Sequence, residues 1–403
     1  MKILVINSGS SSIKYKLFDM QNKSLLVNGI VEKIGESKSK ITHEIFSKKM
    51  GEQSFIETNS IPDHTNGLTR IAEYLMNKAY GVIQSPSEIV AVGHRVVHGG
   101  EQFSKTMLIT NEVKSKIKEL CFLAPLHNPA NLLGIEVAEK VFPQAKQVAV
   151  FDTAFHQTMP DFAYRYAIPQ QLYDSQQLRA YGMHGTSHLY VSKKAAKFLG
   201  KNLTDTNLIT IHLGNGCSIT AVKGGRSVDT SMGLSPLPGL MMGTRSGDID
   251  PAIIFFLHKN LQMPIDKIDN LLNKESGLKG IAQENDMRMI EKRFEEGDES
   301  AKLALEMYCY RIKKYIGSYL AVLGKTDAIV FTAGVGQNSS RVRQMVCQGL
   351  GNLGIILDEP KNKQKNADIQ EINHQESPIK ILVVPTNEEL EIAEQTFELI
   401  RNY

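Results

Sequence analysis

What this sequence has little of sets its first limits. Its four cysteines, Cys121, Cys217, Cys309 and Cys347, are scattered, with no CxxC pair and no zinc spacing, so they read as free thiols of a reducing compartment. Charge of one sign is scarce too. With 46 basic residues against 43 acidic ones and a formal net charge of +3, a broad nucleic-acid-binding surface is excluded and only local cationic clusters remain. The strongest later apolar run, Ala252 to Leu257, is far too short to span a bilayer. The opening Met1-Lys2-Ile3-Leu4-Val5-Ile6 turns polar at Asn7, too early for a signal-peptide apolar segment. The expectation is a soluble, cytoplasmic protein. At 403 residues, 42% hydrophobic and 22% charged, the chain has an ordinary globular composition and the length of two domains.

The usual nucleotide and metal motifs are missing as well. Gly324-Lys325-Thr326 has the tail of a Walker loop, but Tyr319 stands where its first glycine belongs, and the segment precedes a strand instead of following one. Gly214-Asn215-Gly216 and Gly334-Val335-Gly336 each begin a dinucleotide pattern, with Ile219 and Ser339 in place of its last glycine. His184 and His188 have helical metal-ligand spacing without an intervening glutamate, and Gly185-Thr186-Ser187 reads as a helix entry.

What is present is an α/β pattern. Alternation and apolar runs predict strands at 2–8, 12–18, 24–34, 39–49, 52–58, 89–97, 146–152, 207–213, 327–333 and 379–385. Helices are predicted at 66–79, 111–121, 128–141, 187–199, 298–323, 339–350 and 387–402. One internal echo matters: Leu4 to Ile13 and Ile209 to Ile219 are each an apolar strand, a small Gly/Asn/Ser turn and a second strand. Their separation by half the chain suggests two similar α/β domains with a cleft between them. Facing hairpin turns with backbone donors would clamp a polyphosphate.

The most telling stretch is Thr230-Ser231-Met232-Gly233-Leu234-Ser235-Pro236 followed by Gly243-Thr244-Arg245-Ser246-Gly247-Asp248. One arginine stands between glycines, ahead of a helix expected to open at Asp248; small residues let N–H groups and a guanidinium fork approach an anion. Other small-residue turns follow apolar strands and carry one polar group each: Asn7, Arg95, His127, Asp152 and His184. Such turns favour a site built at strand ends.

The segments Val5-Ile6-Asn7-Ser8-Gly9-Ser10-Ser11-Ser12-Ile13-Lys14, Gly93-His94-Arg95-Val96-Val97-His98-Gly99-Gly100, Phe151-Asp152-Thr153-Ala154-Phe155-His156, His184-Gly185-Thr186-Ser187-His188, Gly243 to Asp248, Phe331-Thr332-Ala333-Gly334-Val335-Gly336 and Thr386-Asn387-Glu388-Glu389 together resemble the acetate kinase family, in order and over the whole chain. The resemblance implies two ribonuclease H-like domains of the acetate and sugar kinase, heat-shock and actin superfamily, flanking a nucleotide-binding cleft. It implies ATP, Mg²⁺ (for which Mn²⁺ can substitute), reversible in-line phosphoryl transfer to acetate giving acetyl phosphate and ADP, and a homodimer. The expected domains are 1–150 with 386–403, and 151–385, the latter binding nucleotide and carrying the dimer interface.

By the same resemblance, Asn7 and Glu388 hold the metal; Arg95, Asp152, His184 and Arg245 are catalytic; and Arg95, Val97, Leu126, His127 and Pro236 receive the acid. Lys14, His212, Leu213, Gly214, Asn215 and Gly216 serve the phosphates, and Asp286, Met287, Arg288, Gly334, Val335, Gly336, Gln337 and Asn338 the adenosine side. Acetate is already ionised at neutral pH, so Asp152 is expected to orient an arginine or a metal-bound water and not to act as a base. Met183 stands where the family has phenylalanine, Ala180 where it has a basic residue, and Pro238 and Gln337 where it has glutamates. These changes bear on acyl specificity, and a propionate kinase is the nearest alternative. A non-kinase ATPase switch is a more distant one, because paired arginines suit a small anionic acceptor. Cys217 reads as a packing residue of the second hairpin turn, with modification there a route to blocking ATP.

Overall fold

The computed structural model describes residues 1–47, 51–364 and 368–402. The chain divides into two compact units, Met1–Ala154 with Asn387–Tyr403, and Phe155–Thr386. Asp152, which the sequence boundary at 151 assigned to the second domain, therefore belongs to the first. Residues 48 and 49 of the expected strand 39–49 lie outside the described residues.

The first unit holds one mixed sheet of β1 (Lys2–Ser8), β2 (Ser12–Asp19), β3 (Ser24–Glu32), β4 (Ser39–Ser47), β5 (Gly51–Asn59), β6 (Ile89–Val96), β7 (Met107–Leu108) and β8 (Lys146–Phe151), in the order β5-β4-β3-β2-β1-β6-β8-β7. Strands β1, β6 and β8 run parallel, whereas β1 to β5 form an antiparallel meander. The two-residue period of a strand explains how β1 serves two layers. Leu4 and Ile6 join Leu68 and Ile71 of helix His64–Leu75 and Val137 of helix Asn128–Val141 on one face. Ile3 and Val5 join Ile392, Ala393 and Ile400 of helix Glu388–Arg401 on the other. The last helix thus completes the first unit.

The second unit repeats the plan with β9 (Asn207–Leu213), β10 (Cys217–Lys223), β11 (Arg226–Thr230), β12 (Ala328–Thr332), β13 (Gln370–Glu371) and β14 (Lys380–Val383), ordered β11-β10-β9-β12-β14-β13. Here β9, β12 and β14 are parallel, and β9, β10 and β11 antiparallel. Every residue of β12 is buried, as expected for a parallel strand covered on both faces. Setting β3-β2-β1-β6-β8 beside β11-β10-β9-β12-β14 gives the same order and the same directions: the ribonuclease H-like sheet, present twice. The echo between residues 4–13 and 209–219 is the founding hairpin of each.

The helix expected to open at Asp248 begins instead at Ala252. Asp248 is drawn into the loop, where its carboxylate accepts from Gly239 N (2.7 Å) and Tyr315 Oη (2.6 Å). Helices Ile265–Lys274, Gly277–Ala282 and Met287–Glu295 were not read from the sequence. Among the described residues, no helix is long and apolar enough to cross a membrane.

Candidate active site

In each unit the polar residues singled out by sequence gather where parallel strands end, the usual place for ligands on such sheets. In the first unit, Asn7 lies near the end of β1, Arg95 near the end of β6, and Asp152 directly after β8. The Asp152 N–H donates to Val96 O (3.0 Å), which extends the β6–β8 pairing by one step and aims the aspartate at its neighbour. Arg95 Nε donates to Asp152 Oδ2 (2.9 Å), and Arg95 Nη2 donates to the same oxygen. Asp152 is 1% exposed. Burial alone would push the Arg95 guanidinium towards deprotonation, but the charges of Asp152 and Glu388 outweigh it and raise its pKa. Arg95 is therefore a fixed, permanent cation.

The loop after Arg95 is held by two asparagines that sequence reading missed. Asn131 accepts from Val97 N (3.0 Å) and donates to Ser8 O (2.8 Å). Asn128 accepts from His98 N (3.1 Å) and donates to His98 O (3.0 Å). Both lie in the first turn of helix Asn128–Val141 and are buried. They bond backbone 30 or more residues away, so their only trace in the sequence is two asparagines three apart after a His-Asn-Pro start. Val97 is half-buried, His127 is exposed, and Leu126 is 71% exposed. Lys14 is exposed on β2.

In the second unit the turn between β9 and β10 closes with Gly214 N donating to Gly216 O (3.0 Å). A Cβ on Gly216 would stand 3.2 Å from His184 Nε2 and 3.5 Å from Arg245 Nη1, so this turn, His184 and Arg245 converge on one point. His184 is the N-cap of helix Gly185–Phe198 and has left-handed backbone (φ 58), a strained choice for histidine that is met most often at functional sites. Its ring stacks on His212 (centroids 4.4 Å apart, planes 16° apart). Arg245 sits in a loop held through its backbone: Met242 N donates to Arg245 O (3.1 Å), Ser276 N to Thr244 O (3.0 Å) and Lys279 N to Gly243 O (2.9 Å). Gly247 has φ +67, with a notional Cβ 2.6 Å from Gly239 O, so only glycine fits there.

Arg245 differs from Arg95 in one respect. Among the described residues it has no carboxylate partner, and Arg245 Nη1 donates only to Met242 Sδ (3.7 Å). Burial lowers its pKa, offset in part by Cys217. A half-buried guanidinium without a counter-ion is a binding place for an external anion.

Beside the turn lies a cleft of about 780 Å³, lined by Gly214, Asn215, Asp286, Met287, Arg288, Gly334, Val335 and Asn338 from the predicted set. Asn285, Glu291 and Ser339 line it as well and were not predicted. Leu213 and Gly336 are buried and stand outside the lining; so do His212, Gly216 and Gln337. Asp286 caps helix Met287–Glu295 by accepting from Arg288 N (2.9 Å), and the Arg288 side chain and backbone together lower its pKa. The short helix Ala333–Asn338 at the cleft is clamped at its end by buried Arg343, which donates to Gly336 O (2.9 Å) and Gln337 O (2.8 Å) while Asn362 accepts from its Nε (2.7 Å).

Met183 and Cys217, the two sulfur-bearing residues singled out by sequence, are both enclosed. Met183 is 4% exposed, with its carbonyl 3.0 Å from His156 Nε2. Cys217 is 0% exposed, lies 3.2 Å from Tyr308 Oη, and burial pushes its thiol up to about 11. It is a packing residue with little thiolate for modification.

A family model described as the Acetokinase family matches residues 2–394. An acetate kinase of Flavobacterium johnsoniae is 53% identical over 402 residues, covering 100% of both chains. The crystal structure of Porphyromonas gingivalis acetate kinase superposes with a TM-score of 0.94 at 45% identity, covering 99% of each chain. That of a propionate kinase from Francisella tularensis does so with a TM-score of 0.89 at 44% identity over 98% of each.

Proposed function

The chain belongs to the acetokinase family, and from that membership we propose that it catalyses reversible transfer of the γ-phosphoryl group of ATP to acetate, giving acetyl phosphate and ADP. The observation that carries the reading is the pair of unlike arginines, one locked to a carboxylate and one without a counter-ion. Two anions, acetate and the γ-phosphate, must approach each other, and two cations offset their repulsion. An acetate oxygen forms the new bond to phosphorus as the bond to the ADP oxygen breaks, so the protein supplies alignment and charge and no covalent partner.

Asp152 acts through Arg95, holding its fork in one orientation, and has no proton to take from an acetate that is already ionised. Arg245 and the His184 ring offer donors to the transferring oxygens. The second-unit cleft, with Asp286 and the short helix Ala333–Asn338, receives the nucleotide. Asn7 and Glu388 suit a divalent cation such as Mg²⁺: both provide hard oxygen atoms on half-buried residues, and the Asn7 amide makes no hydrogen bond among the described residues. Such a cation, when bound, neutralises phosphate oxygens. Val97, Leu126 and Pro236 are proposed to receive the methyl group, with His127 a further contact to the acid. One further methylene is worth only about 1–3 kcal/mol in an apolar pocket, so some propionate turnover accompanies acetate turnover. Free cysteines fit a cytoplasmic setting.

The test is ADP formation from Mg-ATP with acetate, propionate, butyrate, glycerol or no acceptor, with hydroxylamine trapping acyl phosphate. Acetate-dependent hydroxamate is expected; ADP release without any hydroxamate overturns the assignment in favour of an ATPase.

The protein is further proposed to be a homodimer. Helix Ala252–Asn260 buries none of its residues, and Phe255 (61%), Phe256 (56%), Leu261 (58%) and Ile265 (55%) are exposed around it, an apolar face of the kind that marks protein contacts. Phe256→Glu is expected to turn a dimer into a monomer in sedimentation velocity at micromolar concentration. A wild-type monomer, or a variant that stays dimeric, refutes this face as the interface.

A further inference from the structure

Two hydroxyls, those of Ser187 and Thr386, lie behind His212, a residue expected to serve the phosphates. His212 is 7% exposed near the end of β9 and stacks on His184. Two imidazoles stacked that closely repel if both are charged. A neutral ring then presents either a donor or an acceptor at Nε2, according to its tautomer. The other ring nitrogen decides which.

His212 Nδ1 is 2.8 Å from Ser187 Oγ, and Ser187 Oγ is 2.9 Å from Thr386 Oγ1. Ser187 is fully buried in the first turn of helix Gly185–Phe198. Each hydroxyl has one proton, so the chain can run in two directions. If Thr386 donates to Ser187 and Ser187 donates to His212 Nδ1, both protons are used. In the reverse direction Nδ1–H donates to Ser187 and Ser187 to Thr386, and the proton of the half-exposed Thr386 hydroxyl goes to solvent. The first direction keeps both hydroxyl protons inside the chain and leaves Nε2 protonated, the form that suits an anion.

Thr386 is itself held in place. Val384 N donates to Phe331 O (3.0 Å), and Thr332 Oγ1 donates to Val384 O (2.6 Å), fixing the segment that leads to Thr386 beside the end of β12. With its amide oxygen turned towards them, Gln337 accepts from Thr386 N and from Ala333 N, each at 3.2 Å. Ala333 has left-handed backbone (φ 63) and opens the helix that borders the nucleotide cleft. One polar chain therefore joins the cleft helix to the His212 ring.

We propose that Ser187, backed by Thr386, is a positioning residue that fixes His212 as the Nε2–H tautomer, so that the ring offers a hydrogen-bond donor to phosphate oxygens of the bound nucleotide. The identity of that anion, and with it the direction of the chain, rests on the phosphotransfer reading; the contact of Ser187 with His212 Nδ1 does not. An Nδ1–H tautomer would turn an acceptor lone pair towards the anion and repel it.

The test combines long-range ¹H–¹⁵N spectra of the full-length protein at pH 7.5, with His212 assigned through His212→Gln, and steady-state kinetics. In the wild type, His212 should give an unprotonated Nδ1 and a protonated Nε2. Ser187→Ala and Thr386→Val should each shift His212 towards a tautomer mixture and lower kcat by about ten- to a hundredfold, with KM for ATP changed by less than about threefold. Ser187→Thr, which keeps the hydroxyl, should restore both. An Nδ1–H signal in the wild type overturns the proposal, as does full kcat in folded Ser187→Ala. If the wild type makes no acyl phosphate while the tautomer still depends on Ser187, the phosphotransfer reading falls and the tautomer device stands.

Discussion

Arg245→Ala is expected to lower kcat by about 10³- to 10⁵-fold, the range seen when an arginine that stabilises transferring phosphoryl charge is removed, while the protein keeps or slightly gains thermal stability. The second half of that result follows from what surrounds the residue. Among the described residues Arg245 has no carboxylate partner, and burial acts against its charge, so removing it strands no counter-ion. Arg95→Ala should also abolish turnover but should cost stability as well. It leaves Asp152, 1% exposed, without the cation that accounts for its burial, a change worth about 3–5 kcal/mol for a buried pair broken on one side. Turnover assays paired with melting curves separate the two. Arg245→Lys should recover little, because an ammonium cannot reproduce a planar donor fork. Near-normal kcat in folded Arg245→Ala would remove this residue from the chemistry.

The second large effect is loss of stability in mild acid. His43, His94 and His98 are 0%, 2% and 0% exposed in the first unit, and burial lowers each pKa to about 4. His43 is 2.6 Å from Tyr15 Oη, and His94 Nε2 is 2.8 Å from Gln147 Oε1. In the unfolded chain these imidazoles titrate near about 6.5. Between that value and about 4 the unfolded state binds the extra protons, so stability falls as pH drops through this window and levels off below it. Each histidine contributes on the order of 3 kcal/mol to the loss. The urea midpoint, followed by circular dichroism because the chain has no tryptophan, should fall steeply from pH 7 to pH 5. His94→Gln should flatten the slope. A midpoint that does not change over that range would contradict the burial of these rings.

The duplicated sheet was legible because it is a periodic feature: Leu4, Ile6, Ile209 and Ile211 mark strands by alternation, and small turns mark the hairpins that follow. Arg95, Asp152, His184 and Arg245 stood out for a different reason, as polar residues in small-residue turns and loops. The loop before Ala252 was misread as a helix from Asp248 because acidic residues before an apolar run resemble a helix start, whereas Gly239 and Tyr315 claim that carboxylate in the fold. The cleft walls at Asn285, Glu291 and Ser339 carry no motif of their own.

By itself, then, the sequence determined most of the long strands, that the plan occurs twice, and which cations are candidates to grip an anion, since local spacing and residue type encode all three. Only the tertiary structure decided that Arg95 is tied to Asp152 while Arg245 has no carboxylate partner among the described residues. It alone revealed that Asn128, Asn131, Ser187 and Arg343 fix the loops and rings around them. Those roles depend on hydrogen bonds between residues far apart in the chain. A lone asparagine or serine has no periodicity from which its partner could be read.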